Sequence, residues 1–339
     1  MNIALRKFYL KHKTLTLTLL PILLIIIILA IVFLTAYIPR TNSTNYHSQE
    51  VIDNNFINSS SYLGINTYGN GAPADTMTYF KSVFENNNSY RVNLVELNIH
   101  ITADDKLVVF SDTTLDSVSD AKAIYKKRNL RPQDASYEQL TRYNLAYNFA
   151  VDGNYPYRDT KHLDELSIMS LENAIIYLET RGKDTWKTHF LYIISIKSTK
   201  NNQKAVDILY DTAVTSNILP RVLVKTTDSK TANYIDGKYP NLKRTATTSE
   251  IWQFYTNFTL GINMSKKAPR YSALLIPKNA FVVKLDKKSI VDYAHKHGIA
   301  VMYHTIDNAK VIKHLNEIGA DAILTNNPYD AFLAINNII

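Results

Sequence analysis

The stretch Arg91–Leu115, RVNLVELNIHITADDKLVVFSDTTL, constrains this chain more than any other. Two apolar runs, 92–101 and 107–110, flank Thr102-Ala103-Asp104-Asp105-Lys106, whose polarity is that of a tight connection. The first run alternates. Leu94, Glu96, Asn98 and His100 share one face, and Val95, Leu97, Ile99 and Ile101 share the other. The aliphatic face needs a packing partner, while a carboxylate, an amide and an imidazole in one row need water or a functional site. The second run closes on Phe110-Ser111-Asp112, small and polar after apolar residues. Polar side chains at the C-terminal ends of strands are what a parallel barrel presents to a ligand.

The remainder of the chain alternates strand-like and helix-like segments. A short strand over 62–66 runs into the breaker-rich loop 67–73, then a helix over 77–85 that Asp75 or Thr76 can cap. Leu171, Ala174, Ile175 and Leu178 have helical spacing. A strand over 190–197 ends in Lys197, a helix covers 202–216, and 221–226 is again strand. A weak strand at 242–248 and a short one at 271–277 follow. A helix over 288–297 is closed by Gly298, with a strand at 299–306, a helix at 309–318 and a last strand at 322–325. This order predicts an α/β fold, a (β/α)8 TIM barrel over 61–339, interrupted by an insertion at about 121–166. The aromatic residues of the insertion suit either a satellite core or the wall of a groove.

Ahead of the barrel, 15–38 is almost wholly apolar and long enough to span a bilayer, which takes about 20 residues. Five of the 38 basic residues lie within the first forty positions, where there is no acid, and four of them precede the apolar run. The expected topology is a basic cytoplasmic tail over 1–14, one transmembrane helix over 15–38, a polar linker over 39–60 and an extracellular domain at the cell membrane. The other 33 basic residues nearly balance the 30 acids, which argues against a nucleic-acid partner. The absence of cysteine excludes disulfides, thiolate metal sites and cysteine nucleophiles.

Several motifs together resemble the glycerophosphodiester phosphodiesterase family. Its Glu-x-Asp strand, Thr-x-Asp-Gly turn and His-Asp strand end correspond to Glu96-Leu97-Asn98, Thr102-Ala103-Asp104-Asp105 and Ser111-Asp112. Its His-Arg-Gly loop and Pro-Glu-Asn-Thr sequence fall on Thr67-Tyr68-Gly69 and Pro73-Ala74-Asp75-Thr76. Its Glu-x-Lys falls on Ser195-Ile196-Lys197. The C-terminal run Gly319-Ala320-Asp321-Ala322-Ile323-Leu324-Thr325-Asn326-Asn327-Pro328 is close to the family's Gly-Ala-Asp-Gly-Ile-Ile-Thr-Asp-x-Pro.

The resemblance implies a phosphoric diester hydrolase that uses Ca²⁺ or Mg²⁺, held by two Glu and one Asp, with two His as general acid and base. Carried over residue by residue, the two His positions hold Thr67 and Ser111, and neither hydroxyl titrates near neutrality. The metal positions hold Glu96, Asn98 and Ser195, so one carboxylate of three remains, with Asp112 a retained acid nearby. Tyr68 replaces a phosphate-binding Arg, while Gly69 and Lys197 persist as possible anion contacts. His100 and His304 are the candidate substitutes for the missing imidazoles.

The expectation is therefore a membrane-anchored member of the family, catalytically impaired, with no or weak metal binding. It would hold a glycerophosphate-type lipid head group or a cell-envelope polymer. The alternatives are a divergent, active phosphodiesterase of lipid metabolism and a scaffold or interaction protein.

Overall fold

The computed structural model describes residues 21–28, 54–58, 61–67, 71–85, 92–160, 163–181, 189–197, 200–261, 264, 269–280 and 283–338. The chain divides into two compact units. One comprises Met1–Ser48 with Asn279–Lys284, and the other Gln49–Lys278 with Leu285–Ile339. In the first unit, 21–28 is helical, and β8 (Asn279–Ala280) pairs antiparallel with β9 (Val283–Lys284). No helix among the described residues is long and apolar enough to cross a membrane. Most of the expected span over 15–38, with the tail before it, lies outside the described residues.

The second unit is the expected barrel. Its strands are β1 (Tyr62–Ile65), β2 (Leu94–Ile101), β5 (Leu191–Ile196), β6 (Val222–Lys225), β7 (Ala273–Ile276), β10 (Ala300–Tyr303) and β11 (Ala322–Thr325). All the pairings among them, β1–β2, β2–β5, β5–β6, β7–β10, β10–β11 and β11–β1, are parallel. The remaining gap is closed by the weak strand expected over 242–248. There Arg244 bridges to Val224 and Thr245 to Ala273, both in parallel. This segment completes the eight-membered ring with only two bridges. Here the Arg244 side chain is 2% exposed. Its guanidinium donates to both carboxylate oxygens of Asp236, at 2.8 Å each, and to those of Glu250 at 2.7 and 2.8 Å. The strand is held by this ionic clamp as well as by its ladder.

Two short strands lie off the ring. β3 (Leu107–Val109) folds back antiparallel on β2, and β4 (Met169–Ser170) pairs with β3. The connecting turn is tied by Thr102, whose hydroxyl donates to Asp104 at 2.6 Å and accepts from the Lys106 N–H at 2.9 Å. The insertion between β3 and β4 packs its own cluster of Val108, Phe110, Leu115, Leu140, Tyr143, Leu145 and Ile168. The helix expected from the spacing of Leu171, Ala174, Ile175 and Leu178 runs over Leu171–Arg181, directly after Met169 and Ser170 of β4. Helices at Ser229–Lys238 and Thr248–Leu260 occupy segments that carry no expected element.

The barrel interior is filled by alternate residues of six of its strands: Leu94, Leu191, Ile193, Leu223, Ala273, Leu275, Ala300, Met302, Ala322 and Leu324. Gly64 fits here because a Cβ would lie 2.7 Å from Leu94 Cδ2 and 2.9 Å from Leu324 Cγ. Phe56, fully buried, joins the same cluster. This corrects the expected linker over 39–60: at least 54–58 belongs to the barrel. The Asn54 amide donates to the carbonyls of Ser272 and Gly298, at 2.8 Å each, and the Asn58 N–H donates to Asp321. An aromatic residue in a polar, Asn-rich run looks solvated in sequence, but the open end of a barrel gives it an apolar socket.

The Arg244 clamp yields a test. Arg244→Met leaves the Asp236 and Glu250 carboxylates without their guanidinium and is expected to cost about 3–5 kcal/mol in a urea unfolding experiment. A loss below about 1 kcal/mol would show that the ladder alone closes the ring.

Candidate functional site

The parity that fills the core also fills the mouth. On β2, Glu96 and Asn98 follow Leu94 on the inner face; Ser195 follows Ile193 on β5, and Lys225 follows Leu223 on β6. His304 follows Met302 just past β10, and Asn326 follows Leu324 just past β11. Strand register sets Asn98 beside Ser195 and Ser195 beside Lys225. These positions lie at the C-terminal ends of the strands, where barrels place their chemistry.

One cluster is ionic. Lys225 Nζ donates to Glu96 Oε1 at 2.8 Å, with the Glu96 side chain 6% exposed and that of Lys225 26% exposed. His304 belongs to this cluster. Burial pushes its pKa down, the Lys225 ammonium pushes it further, and the Glu96 carboxylate opposes them. The imidazole beside the ion pair is thus kept neutral near neutral pH.

The second cluster is a network of hydroxyls around a buried carboxylate. Thr67 Oγ1 donates to Asp75 Oδ1 at 2.5 Å, Ser111 Oγ to the same oxygen at 2.8 Å, and the Ser111 N–H to Oδ2 at 2.7 Å. The Asn98 amide donates to Ser111 Oγ at 3.0 Å. The two positions matched to the family's imidazoles are therefore bridged by one acid. Asp75 sits at φ +58°, a left-handed conformation that Asp tolerates better than most residues. Thr76 caps the Met77–Phe84 helix by accepting from the Tyr79 N–H, so Asp75 is not the cap and is released to the network. Burial pushes the Asp75 carboxyl up to about 6, against the three hydrogen bonds that favour its charge.

His100 belongs to neither cluster. Its ring lies against Phe110, with centroids 6.0 Å apart, and its Nε2 is buried without a hydrogen-bond partner. Burial drives its pKa down to about 4, and the charge it senses is that of Lys197 and Asp112. Of the two candidate substitutes for the imidazoles, His304 senses the charges of Glu96 and Lys225, and His100 those of Lys197 and Asp112. Lys197 and Asp112 are exposed at the rim, where Asp112 accepts from Ser117 Oγ at 2.6 Å. Ser195 is buried. Tyr68 and Gly69 lie outside the described residues. Among the described residues, no three His, Asp or Glu side chains converge in a way that could hold a metal ion.

Sequence reasoning missed Lys225 and gave Asp75 only a capping role. The signal for Lys225 was present, since Val222-Leu223-Val224-Lys225 ends in lysine just as the preceding strand leads to Lys197. What a linear reading lacks is the register that sets this lysine against Glu96, with a strand between them.

Asp75 makes stability depend on pH. The folded chain holds its proton more tightly than the unfolded chain, where the carboxyl titrates near its ordinary value of 3.8. This contribution is fully present below about 4 and is lost as pH rises through about 6, at a cost of about 3 kcal/mol. Asp75→Asn keeps the backbone conformation and removes the titration. The wild type is expected to gain thermal stability relative to the variant as pH falls from 6 to 4. A melting-temperature difference that is flat across that window would refute the assignment.

Comparison with known proteins agrees with this architecture. The model of the glycerophosphoryl diester phosphodiesterase family matches residues 70–330. No curated protein gives a significant match. Among solved structures, the glycerophosphoryl diester phosphodiesterase domain of a Mycobacterium tuberculosis protein superposes with a TM-score of 0.63 at 16% identity, over 83% of this chain and 100% of that one. A glycerophosphoryl diester phosphodiesterase from Silicibacter pomeroyi gives 0.60 at 14%, over 82% and 94%. An Oleispira antarctica phosphodiesterase, solved with its product sn-glycerol-3-phosphate, gives 0.58 at 13%, over 82% and 97%. Identities this low speak for the fold alone, but the family match spans more than half of the sequence and falls on the barrel that carries the mouth just described: the chain belongs to the glycerophosphoryl diester phosphodiesterase family.

Proposed function

We propose that this member of the family binds a glycerophosphate-type head group at the barrel mouth and does not hydrolyse it. The observation that carries this reading is the Thr67–Asp75–Ser111 network. Cleaving a phosphodiester needs one group to take a proton and another to give one, both titrating near the working pH. The two hydroxyls cannot do this, and the carboxyl between them spends its lone pairs on internal donors. Asp75 is a single acid with no partner of complementary pKa in its network. His100, with its pKa near 4, is a poor general acid at neutrality, and His304 is also pushed downward.

The ligand class follows from the family and from the glycerol 3-phosphate held by the Oleispira relative. Lys197 at the rim is the candidate anion contact beside the mouth, and Gly69 is the one the family resemblance adds. In this reading the apolar stretch over 15–38 anchors the domain to the outer face of the cell membrane, where head groups and envelope glycerophosphate polymers are within reach. The active alternative draws on one specific observation, the neutral His304, which sits near Glu96 and Lys225 and has the chemistry of a base.

Incubation of the purified protein with glycerophosphocholine and Ca²⁺ or Mg²⁺ is expected to release no glycerol 3-phosphate above the no-enzyme control in a coupled assay. Turnover that disappears in Glu96→Ala would establish the active alternative. The anchor has its own check. The full chain should stay with the membrane fraction through an alkaline carbonate wash, and a chain lacking 1–38 should not. Release of the full chain by the wash would remove the anchor from the proposal.

A further inference from the structure

We propose that Lys225 supplies the cation of this mouth: its ammonium, held by Glu96, takes the phosphoryl oxygens of the ligand directly, with no divalent metal between them. This rests on the head-group-binding reading above and deepens it.

The donor set does not fit a divalent cation. Calcium and magnesium need several anionic oxygens to offset dehydration. The three positions matched to family ligands hold one carboxylate, Glu96, and two neutral groups, Asn98 and Ser195. The Asn98 amide nitrogen is turned toward Ser111 Oγ at 3.0 Å, and Glu96 Oε1 already accepts from the Lys225 ammonium at 2.8 Å. A divalent ion on Glu96 would sit within a few ångströms of a fixed positive charge in a largely buried setting, where repulsion is poorly screened.

The ammonium is suited to take over the role. It has three donors; Glu96 takes one, and the 26% of the Lys225 side chain that stays exposed leaves room for an anion to reach the others. Charge balance agrees. Three carboxylates around a divalent ion leave a net −1, whereas one carboxylate beside an ammonium leaves zero. Loss of two acids and exchange of a double charge for a single one therefore belong together. The register gives the geometric reason, since Asn98, Ser195 and Lys225 are neighbours in one row across three strands. The lysine sits beside the positions that lost their acids.

The experiment is calorimetric titration of the full chain in detergent with glycerol 3-phosphate, in EDTA and again with Ca²⁺. Affinity should be the same in both to within about twofold. Lys225→Met should weaken it at least about tenfold, and Lys225→Arg should largely keep it. Because Lys225→Met leaves the Glu96 carboxylate without its partner, the double variant Glu96→Gln with Lys225→Met is measured beside it, with its fold checked by circular dichroism; it too should lose binding. Glu96→Gln alone separates the two cation models. A metal site loses its last carboxylate and its ligand, whereas an ammonium freed from its counter-ion binds the anion as tightly or several-fold more tightly. Binding that requires Ca²⁺, that fails in Glu96→Gln, or that survives in the folded double variant overturns the lysine assignment and leaves head-group binding standing. No binding to the wild type in either condition overturns both.

Discussion

Strand parity is the constraint on which everything else rests. In a closed parallel barrel every second residue points inward, and the inward residues near one end must pack while those near the other can face a ligand. Leu94, Ile193, Leu223, Met302 and Leu324 meet the first demand. Two residues further along each strand stand Glu96, Ser195, Lys225, His304 and Asn326. A one-residue slip of β2 would bury Glu96 and Asn98 among the surrounding helices and turn Val95 and Leu97 into the barrel. The core therefore fixes the site, and the apolar layer beneath the mouth makes each charge in it matter. Glu96 is almost without solvent, so its partner is set by the protein and not by water.

The two clusters of the mouth solve the same burial problem differently. Glu96 is matched by an opposite charge on a neighbouring strand. Asp75 has no cation and relies on three hydrogen bonds from Thr67 and Ser111, which offset only part of its desolvation; hence its carboxyl remains well above the ordinary value. The network does more than solvate a carboxylate. It joins the loop after β1, the end of β3 and, through Asn98, the inner face of β2. The joints are made by the Thr67 and Ser111 hydroxyls and the Ser111 N–H, all converging on the Asp75 carboxylate.

Much of this was legible in the sequence. The alternation in β2, the hairpin to β3 and the order of the late elements are local patterns, and local patterns survive in one dimension. The segment over 242–248 was read as a weak strand, and it is weak as a ladder; its hold comes from Arg244, whose partners Asp236 and Glu250 lie on the helices either side of it. The helix over Thr248–Leu260 had a visible start in Thr247 and Glu250, which form a capping box, but its aromatic run obscured the helical period. Phe56 was hidden because its socket is made by strands distant in sequence. His100 shares a face with Glu96 and Asn98, and β2 runs on past them, so that its ring lies against Phe110.

Lys225 was hidden for a similar reason, and it bears on how its row neighbours Asn98 and Ser195 are to be read. Taken singly, an amide at Asn98 and a hydroxyl at Ser195 look like decay of a metal site. Placed in register with Lys225, they look like adjustment, because an ammonium beside three carboxylates would face a surplus of buried negative charge, and a lone Glu96 without it would be an unpaired buried ion. Lys225 is bonded to the one carboxylate of that row, at 2.8 Å. The pair ties β2 to β6 across β5 and matches a nearly buried negative charge with a positive one supplied by the chain itself.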